Sequence, residues 1–148
     1  MSLKPGIYEL QNVENQQWAG VGGVPAMDPP PPVNLKGVPD IMKANFRFVH
    51  QVGDYYHILI PGMDKSEIRS QDDTVKVIPF SSRQTWIVKS VEKDSYYIKD
   101  PESGGYWTLV ESTDPWGTQI RLEPTTRSLS QVWKFSISLG PVVQISDA

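Results

Sequence analysis

This sequence predicts an all-β fold assembled from three related segments. Three observations carry the prediction: prolines and glycines spread along the whole chain, short runs of alternating apolar and polar residues, and strand-like landmarks that recur three times. Thirteen prolines and eleven glycines punctuate the 148 residues. Proline removes a backbone donor and clashes with the preceding turn, so long helices are disfavoured. The runs Gly6-Ile7-Tyr8-Glu9-Leu10, Tyr55-Tyr56-His57-Ile58-Leu59-Ile60, Thr74-Val75-Lys76-Val77-Ile78 and Gln119-Ile120-Arg121-Leu122 each suit a half-buried strand, whose successive side chains face opposite ways.

The recurrence decides the architecture. The stretch from Asp73 to Pro79 aligns with Thr118 to Pro124 and with Pro31 to Gly37, which brings Val33, Val75 and Ile120 into correspondence. Downstream of each lies an aromatic strand, marked by Phe46, Trp86 and Trp133, and upstream a tyrosine strand, marked by Tyr8, Tyr56 and Tyr97. These landmarks keep one order at a period of about 45 residues, as expected of units that share one core because none can bury its apolar face alone. Propeller blades have a similar period, but three blades are too few to close a ring of roughly 4 to 8. Three copies make a β-trefoil: twelve strands in three pseudo-symmetric repeats, six forming a barrel and six forming three hairpins that cap it. The expectation is a single domain over 1–148, with repeats at about 5–50, 51–91 and 92–138 and a tail at 139–148. Phe46, Trp86 and Trp133 then fill its centre.

Composition excludes several kinds of partner. A net charge of -3 favours neither nucleic acid nor an anionic membrane surface. There is no cysteine, hence no disulfide framework and no thiolate metal site. No apolar run approaches the ~20 residues that span a bilayer, and the opening Met1-Ser2-Leu3-Lys4-Pro5-Gly6 lacks a signal-like apolar region, so a cytoplasmic monomer is expected.

Catalytic chemistry finds few residues to work with. His50 and His57 are the only histidines, too few for a zinc centre, which takes three or four ligands. No nucleophile elbow or phosphate-binding glycine loop is present. Asp72 and Asp73 are adjacent, and as neighbours on a strand they would face opposite ways, so they read as a turn rather than as paired acid and base. The reading is of a protein that is not an enzyme and carries neither metal nor cofactor.

The longest irregular stretch runs from Ala19 to about Pro32 and ends in four successive prolines, Pro29 to Pro32. Loops of this length are usually functional or disordered. The prolines hold φ near -65° and favour an extended polyproline conformation with little entropy left to lose. A stiff, extended, substrate-like loop suits protease binding, because it avoids the ordering cost of association. A plain surface connection is the alternative.

Lys4-Pro5-Gly6-Ile7-Tyr8, Gly20-Val21-Gly22-Gly23, Gly105-Tyr106-Trp107-Thr108-Leu109 and Gly117-Thr118-Gln119-Ile120 resemble the mushroom β-trefoil protease inhibitors, most of all the cospin-like serine protease inhibitors, and the likeness runs through Ser138. Clitocypin-type cysteine protease inhibitors share the fold. The resemblance implies an inhibitor of serine proteases whose reactive loop joins the second and third strands. The family's arginine at the loop apex is replaced here by Met27, so Pro25, Ala26, Met27, Asp28 and Pro29 become the expected protease-binding segment, aimed at an apolar rather than an acidic S1 pocket. With Met27 at P1, Pro29 falls at P2′ and lacks the amide that pairs with the enzyme; with Ala26 at P1 the objection goes, but the anchor is small. Lys65-Ser66, Arg127-Ser128 and Lys36-Gly37 are basic alternatives on other loops.

A carbohydrate-binding function competes with inhibition. Gln84-Thr85-Trp86 and Gln131-Val132-Trp133 match the Gln-x-Trp signature of ricin-B-like trefoil lectins. Tyr106-Trp107-Thr108-Leu109-Val110 supplies no acid for the sugar pocket those lectins use, while Trp116 on Asp114-Pro115-Trp116-Gly117 offers a ring for stacking.

Overall fold

A computed structural model describes residues 3–22, 31–63, 65–110 and 118–138. The first repeat contributes β1 (Gly6–Asn12), β2 (Trp18–Gly20), β3 (Val33–Asn34), β4 (Lys36–Val38) and β5 (Phe46–His50). The second contributes β6 (Tyr55–Leu59), β7 (Ser66–Gln71), β8 (Thr74–Pro79) and β9 (Thr85–Glu92), and the third β10 (Ser95–Lys99), β11 (Tyr106–Val110), β12 (Thr118–Glu123) and β13 (Trp133–Ile137). Two single 3₁₀ turns, Asp40–Met42 and Leu129–Gln131, precede β5 and β13.

The first and last strands of each repeat form a closed ring in which β1 pairs β5, β5 pairs β6, β6 pairs β9, β9 pairs β10, β10 pairs β13 and β13 returns to β1. Every partnership is antiparallel. The inner strands form three hairpins, β2 with β4, β7 with β8 and β11 with β12, and these join each other through β4–β12, β12–β8 and β8–β3. Twelve strands are expected and thirteen segments are found among the described residues, because the third strand of the first repeat changes partner at Leu35. Val33–Asn34 pairs with β8, whereas Lys36–Val38 pairs with β2 and β12.

Phe46, Trp86 and Trp133 have no exposed surface, and register makes them equivalent: Tyr8 lies opposite Phe46, Tyr56 opposite Trp86 and Tyr96 opposite Trp133. The third tyrosine of this set is therefore Tyr96 and not Tyr97. The irregularity in the β9–β10 ladder lies on β9, where Val91 is passed over between Glu92 opposite Ser95 and Ser90 opposite Tyr96, so side chains alternate without a break along β10. With Tyr96 opposite Trp133, its neighbour Tyr97 faces away and packs edge-on against Tyr106, with ring centres 5.5 Å apart. A second correction concerns the cap. Leu35, Val75 and Ile120 are the equivalent residues, all fully buried, with the Leu35 amide donating to the Val75 carbonyl (2.8 Å) and the Ile120 amide to the Leu35 carbonyl (3.1 Å). Val33 lies two residues before that position.

The indoles tie barrel to cap. Trp86 Nε1 donates to the Ile68 carbonyl (3.2 Å) and Trp133 Nε1 to the Trp107 carbonyl (3.0 Å), so each ring buries its bulk without stranding its one polar atom. Phe46 has no such donor. At the corresponding place Ala19 offers its carbonyl to the Ala44 amide instead, at 3.1 Å.

Candidate functional site

β2 ends at Gly20 and β3 begins at Val33, so residues 21–32 form the connection between the second and third strands. Pro25, Ala26, Met27, Asp28 and Pro29 lie outside the described residues. The two roots of the connection are well defined. Val21 and Val33 both pack against the core, Gly20 pairs with Lys36, and Val33 pairs with Val77. Gly20 has no room for a side chain: a Cβ there would stand 2.8 Å from Val38 Cγ2 and 2.9 Å from the Met42 carbonyl oxygen. Gly22, at φ +66°, turns the chain away over the stem of Lys36, a conformation that favours glycine.

Each of the three basic alternatives meets a geometric obstacle. A protease holds the segment around the scissile bond extended and needs the P1 carbonyl free for its oxyanion hole. The Lys65 carbonyl already accepts the Phe80 amide at 2.6 Å, and Ser66 after it is buried as the first residue of β7. Arg127 is exposed but has φ +55°, and Ser128 after it enters a tight turn in which its hydroxyl accepts the Ser130 amide. Lys36 is not on a loop: it lies within β4, paired with Gly20 on one side and Gln119 on the other.

The residues considered for chemistry are absorbed into structure. His50 Nε2 lies 2.8 Å from the Gly53 carbonyl, and its ring packs edge-on against Tyr56. His57 sits in β6, where burial, with the Arg83 guanidinium adding and the Glu67 carboxylate opposing, holds its pKa below the usual value. Asp72 and Asp73 form the two-residue turn between β7 and β8, both with positive φ (53° and 59°). The Gln-x-Trp glutamines are also occupied. Gln84 Oε1 accepts the Ser70 amide (2.9 Å), and the fully buried Gln131 donates to the Pro124 carbonyl (2.8 Å) and to Thr108 Oγ1 (3.0 Å).

Sequence reading missed an acid early in the third repeat. Asp100, just past β10, is 4% exposed, and its carboxylate accepts from Ser103 Oγ (3.0 Å), the Glu102 amide (3.0 Å) and Ser70 Oγ (3.3 Å). Nearby, a cleft of about 450 Å³ brings together Tyr106, Asp73, Glu123, Ser103 and Thr125. Lys99 Nζ stands 5.4 Å from the centre of the Tyr106 ring, and Tyr97 contacts the same ring, so part of this aromatic surface is already engaged. Trp116 lies outside the described residues.

Also missed was the 3₁₀ turn Asp40–Met42, which rests on the end of β2 and points Ile41 almost wholly into solvent, 93% exposed. A lone isoleucine in Pro39-Asp40-Ile41-Met42-Lys43 carries no sequence signal of exposure. Lys43 braces the turn: its ammonium contacts the Asp40 carboxylate, stands 4.0 Å from Glu9 and lies 4.9 Å from the centre of the Trp18 ring. The Asp40 hydrogen bond raises the Lys43 pKa above its ordinary value against some desolvation, with Glu9 adding to the rise.

No family model matches the sequence, and no curated protein does. Solved structures do match. A proteinase inhibitor from Coprinopsis cinerea is similar with a TM-score of 0.70 at 13% identity, over 92% of this chain and 99% of that one. The designed threefold-symmetric protein ThreeFoil gives 0.71 at 16%, over 90% and 99%. This chain is a β-trefoil. The ricin B-like lectin of Macrolepiota procera, in complex with lactose, shares the trefoil at a TM-score of 0.66 and 16% identity, over 93% and 100%. The trefoil thus hosts both an inhibitor and a lectin among its neighbours, and function has to be argued from this chain's own surfaces.

Proposed function

We propose that this trefoil is a serine protease inhibitor, without catalytic activity of its own, that acts by inserting the connection 21–32 into the protease active site. The observation that carries the reading is the contrast between that connection and its supports. A twelve-residue segment rich in proline leaves one packed, paired strand at Gly20 and returns to another at Val33. Binding loops on rigid scaffolds have this form, since fixed ends and a stiff chain leave little entropy to lose on association. The inhibitor from Coprinopsis cinerea on the same fold adds support. The obstacles at Lys65, Arg127 and Lys36 leave Met27, or Ala26 beside it, as the residue to enter an apolar S1 pocket.

Carbohydrate binding is the second reading. It is favoured by the Tyr106 cleft, with two carboxylates and two hydroxyls around one aromatic ring, and by the lactose complex of the trefoil lectin. One experiment separates the two. Trypsin, chymotrypsin, elastase, subtilisin, papain and legumain are assayed with the protein added, beside a glycan array. Nanomolar inhibition of a serine protease with an empty array is the expected result; glycan binding with no inhibition anywhere overturns it in favour of the lectin.

A further inference from the structure

A protease–inhibitor interface takes roughly 20 to 30 residues from each side, more than the twelve of 21–32 can supply, so surfaces beside the loop must join it. The surface that touches the loop's first root is the 3₁₀ turn Asp40–Met42, whose Met42 carbonyl lies directly over Gly20. We propose that this turn is a second contact with the same protease, with Ile41 as an anchor seated in an apolar depression beside the enzyme's active-site cleft. The proposal rests on the reading of 21–32 as the inhibitory loop.

Three features suit Ile41 to this part. It is 93% exposed, the most exposed large apolar residue among those described, and contributes nothing to the core. Its turn is held from several sides: the Met42 amide donates to the Pro39 carbonyl (2.9 Å), the Ala44 amide to the Ala19 carbonyl (3.1 Å), and Lys43 bridges to Asp40, Glu9 and Trp18. A rigid apolar anchor loses little freedom on burial, which is the condition for carrying a large share of affinity. The contact is also local to the first repeat. In the third repeat the equivalent turn, Leu129–Gln131, faces inward through the buried Gln131 and presents Leu129 at 55% exposure.

The turn itself cannot be the inserted segment. Its residues are helical, whereas a protease cleft takes an extended chain. An apolar flanking contact is what remains open to it.

The test compares inhibition constants of the wild type, Ile41→Asp, Ile41→Ala and Leu129→Asp against whichever of chymotrypsin, elastase and subtilisin the wild type inhibits most tightly, with thermal denaturation of each variant alongside. Ile41→Asp should raise the constant about 100-fold and Ile41→Ala about tenfold, chiefly through faster dissociation, with unchanged melting temperatures. Leu129→Asp should leave the constant within twofold. If Ile41→Asp inhibits as well as the wild type, or if Leu129→Asp weakens inhibition equally, the second contact is refuted while the loop reading stands. If the wild type inhibits none of the three enzymes, the reading of Met27 or Ala26 as the residue for an apolar S1 pocket falls, and the second contact falls with it.

Discussion

The first and second repeats treat the same part of the fold in opposite ways. In the second, β7 and β8 are joined by two residues, Asp72 and Asp73, and pair along their whole length from Ser66–Pro79 to Gln71–Thr74. In the first, twelve residues separate β2 from β3, β2 is only three residues long, and the returning strand divides between two partners. The second repeat has kept the connection that serves pairing alone. The first has fewer ladder pairs and a long connection in their place, and the closed barrel makes that loss tolerable.

The largest expected effect comes from breaking what both hairpins stand on. Trp86→Ala should lower unfolding free energy by about 3 to 5 kcal/mol, because it removes a fully buried ring and leaves the Ile68 carbonyl unpaired. Urea denaturation measures this directly, and a loss below about 1.5 kcal/mol would contradict the placement of Trp86 at the centre.

Changes in the long connection should instead move function and spare stability. Met27→Glu should weaken inhibition of a protease with an apolar S1 pocket by 100-fold or more, since an unpaired carboxylate would be buried there at a cost of several kcal/mol. Met27→Arg should create or strengthen trypsin inhibition through a charge-assisted pair with the aspartate at the base of that pocket. Inhibition constants insensitive to both substitutions would remove the loop from consideration.

The short turn should show the reverse pattern. Replacing Asp72 by Asn and Asp73 by Gly supplies the residues that a two-residue turn with positive φ prefers. The double variant should gain roughly 0.5 to 1 kcal/mol, seen as a rise of a few degrees in Tm, with inhibition unchanged.

The smallest effect concerns pH. The neutral form of His57 is favoured in the folded state, chiefly by burial and further by Arg83. Its folded pKa lies below its unfolded value near 6.5, so the unfolded chain binds the extra proton first. The stability that His57 contributes is therefore complete above about pH 6.5 and declines as pH falls through the lowered folded pKa. His57→Gln should flatten the stability profile just below about pH 6.5; an unchanged slope would assign it to other groups.

Much of the trefoil was legible because large aromatics recur where the core needs them, and Phe46, Trp86 and Trp133 are recognisable without knowing register. Register itself was not. Tyr96 and Tyr97 are identical neighbours, and only the pairing of Tyr96 with Trp133 on β13 decides which faces in. Val33 and Leu35 are both apolar at alternate positions, so the alignment passed over the strand break between them. Near the candidate site, that Lys36 lies in a ladder and that the Lys65 carbonyl is taken by Phe80 are facts about partners distant in sequence, which local pattern does not encode. The positive φ of Arg127 and the exposure of Ile41 arise within their own turns, where the residue types alone carry no signal of them.

The return of β13 to β1, with Tyr8 opposite Ile137 and the Ser138 amide donating to the Ile7 carbonyl at 2.9 Å, bears on how the chain is made. During synthesis β1 emerges first and can pair with β5 at once, but its other edge waits for a strand more than a hundred residues downstream. Until then the nascent barrel is an open sheet with unsatisfied edges at β1 and at whichever strand emerged last, the kind of surface that recruits a second copy. Ring closure is therefore a late, long-range event, and folding of this chain should be slow for its size and most prone to aggregation while still attached to the ribosome.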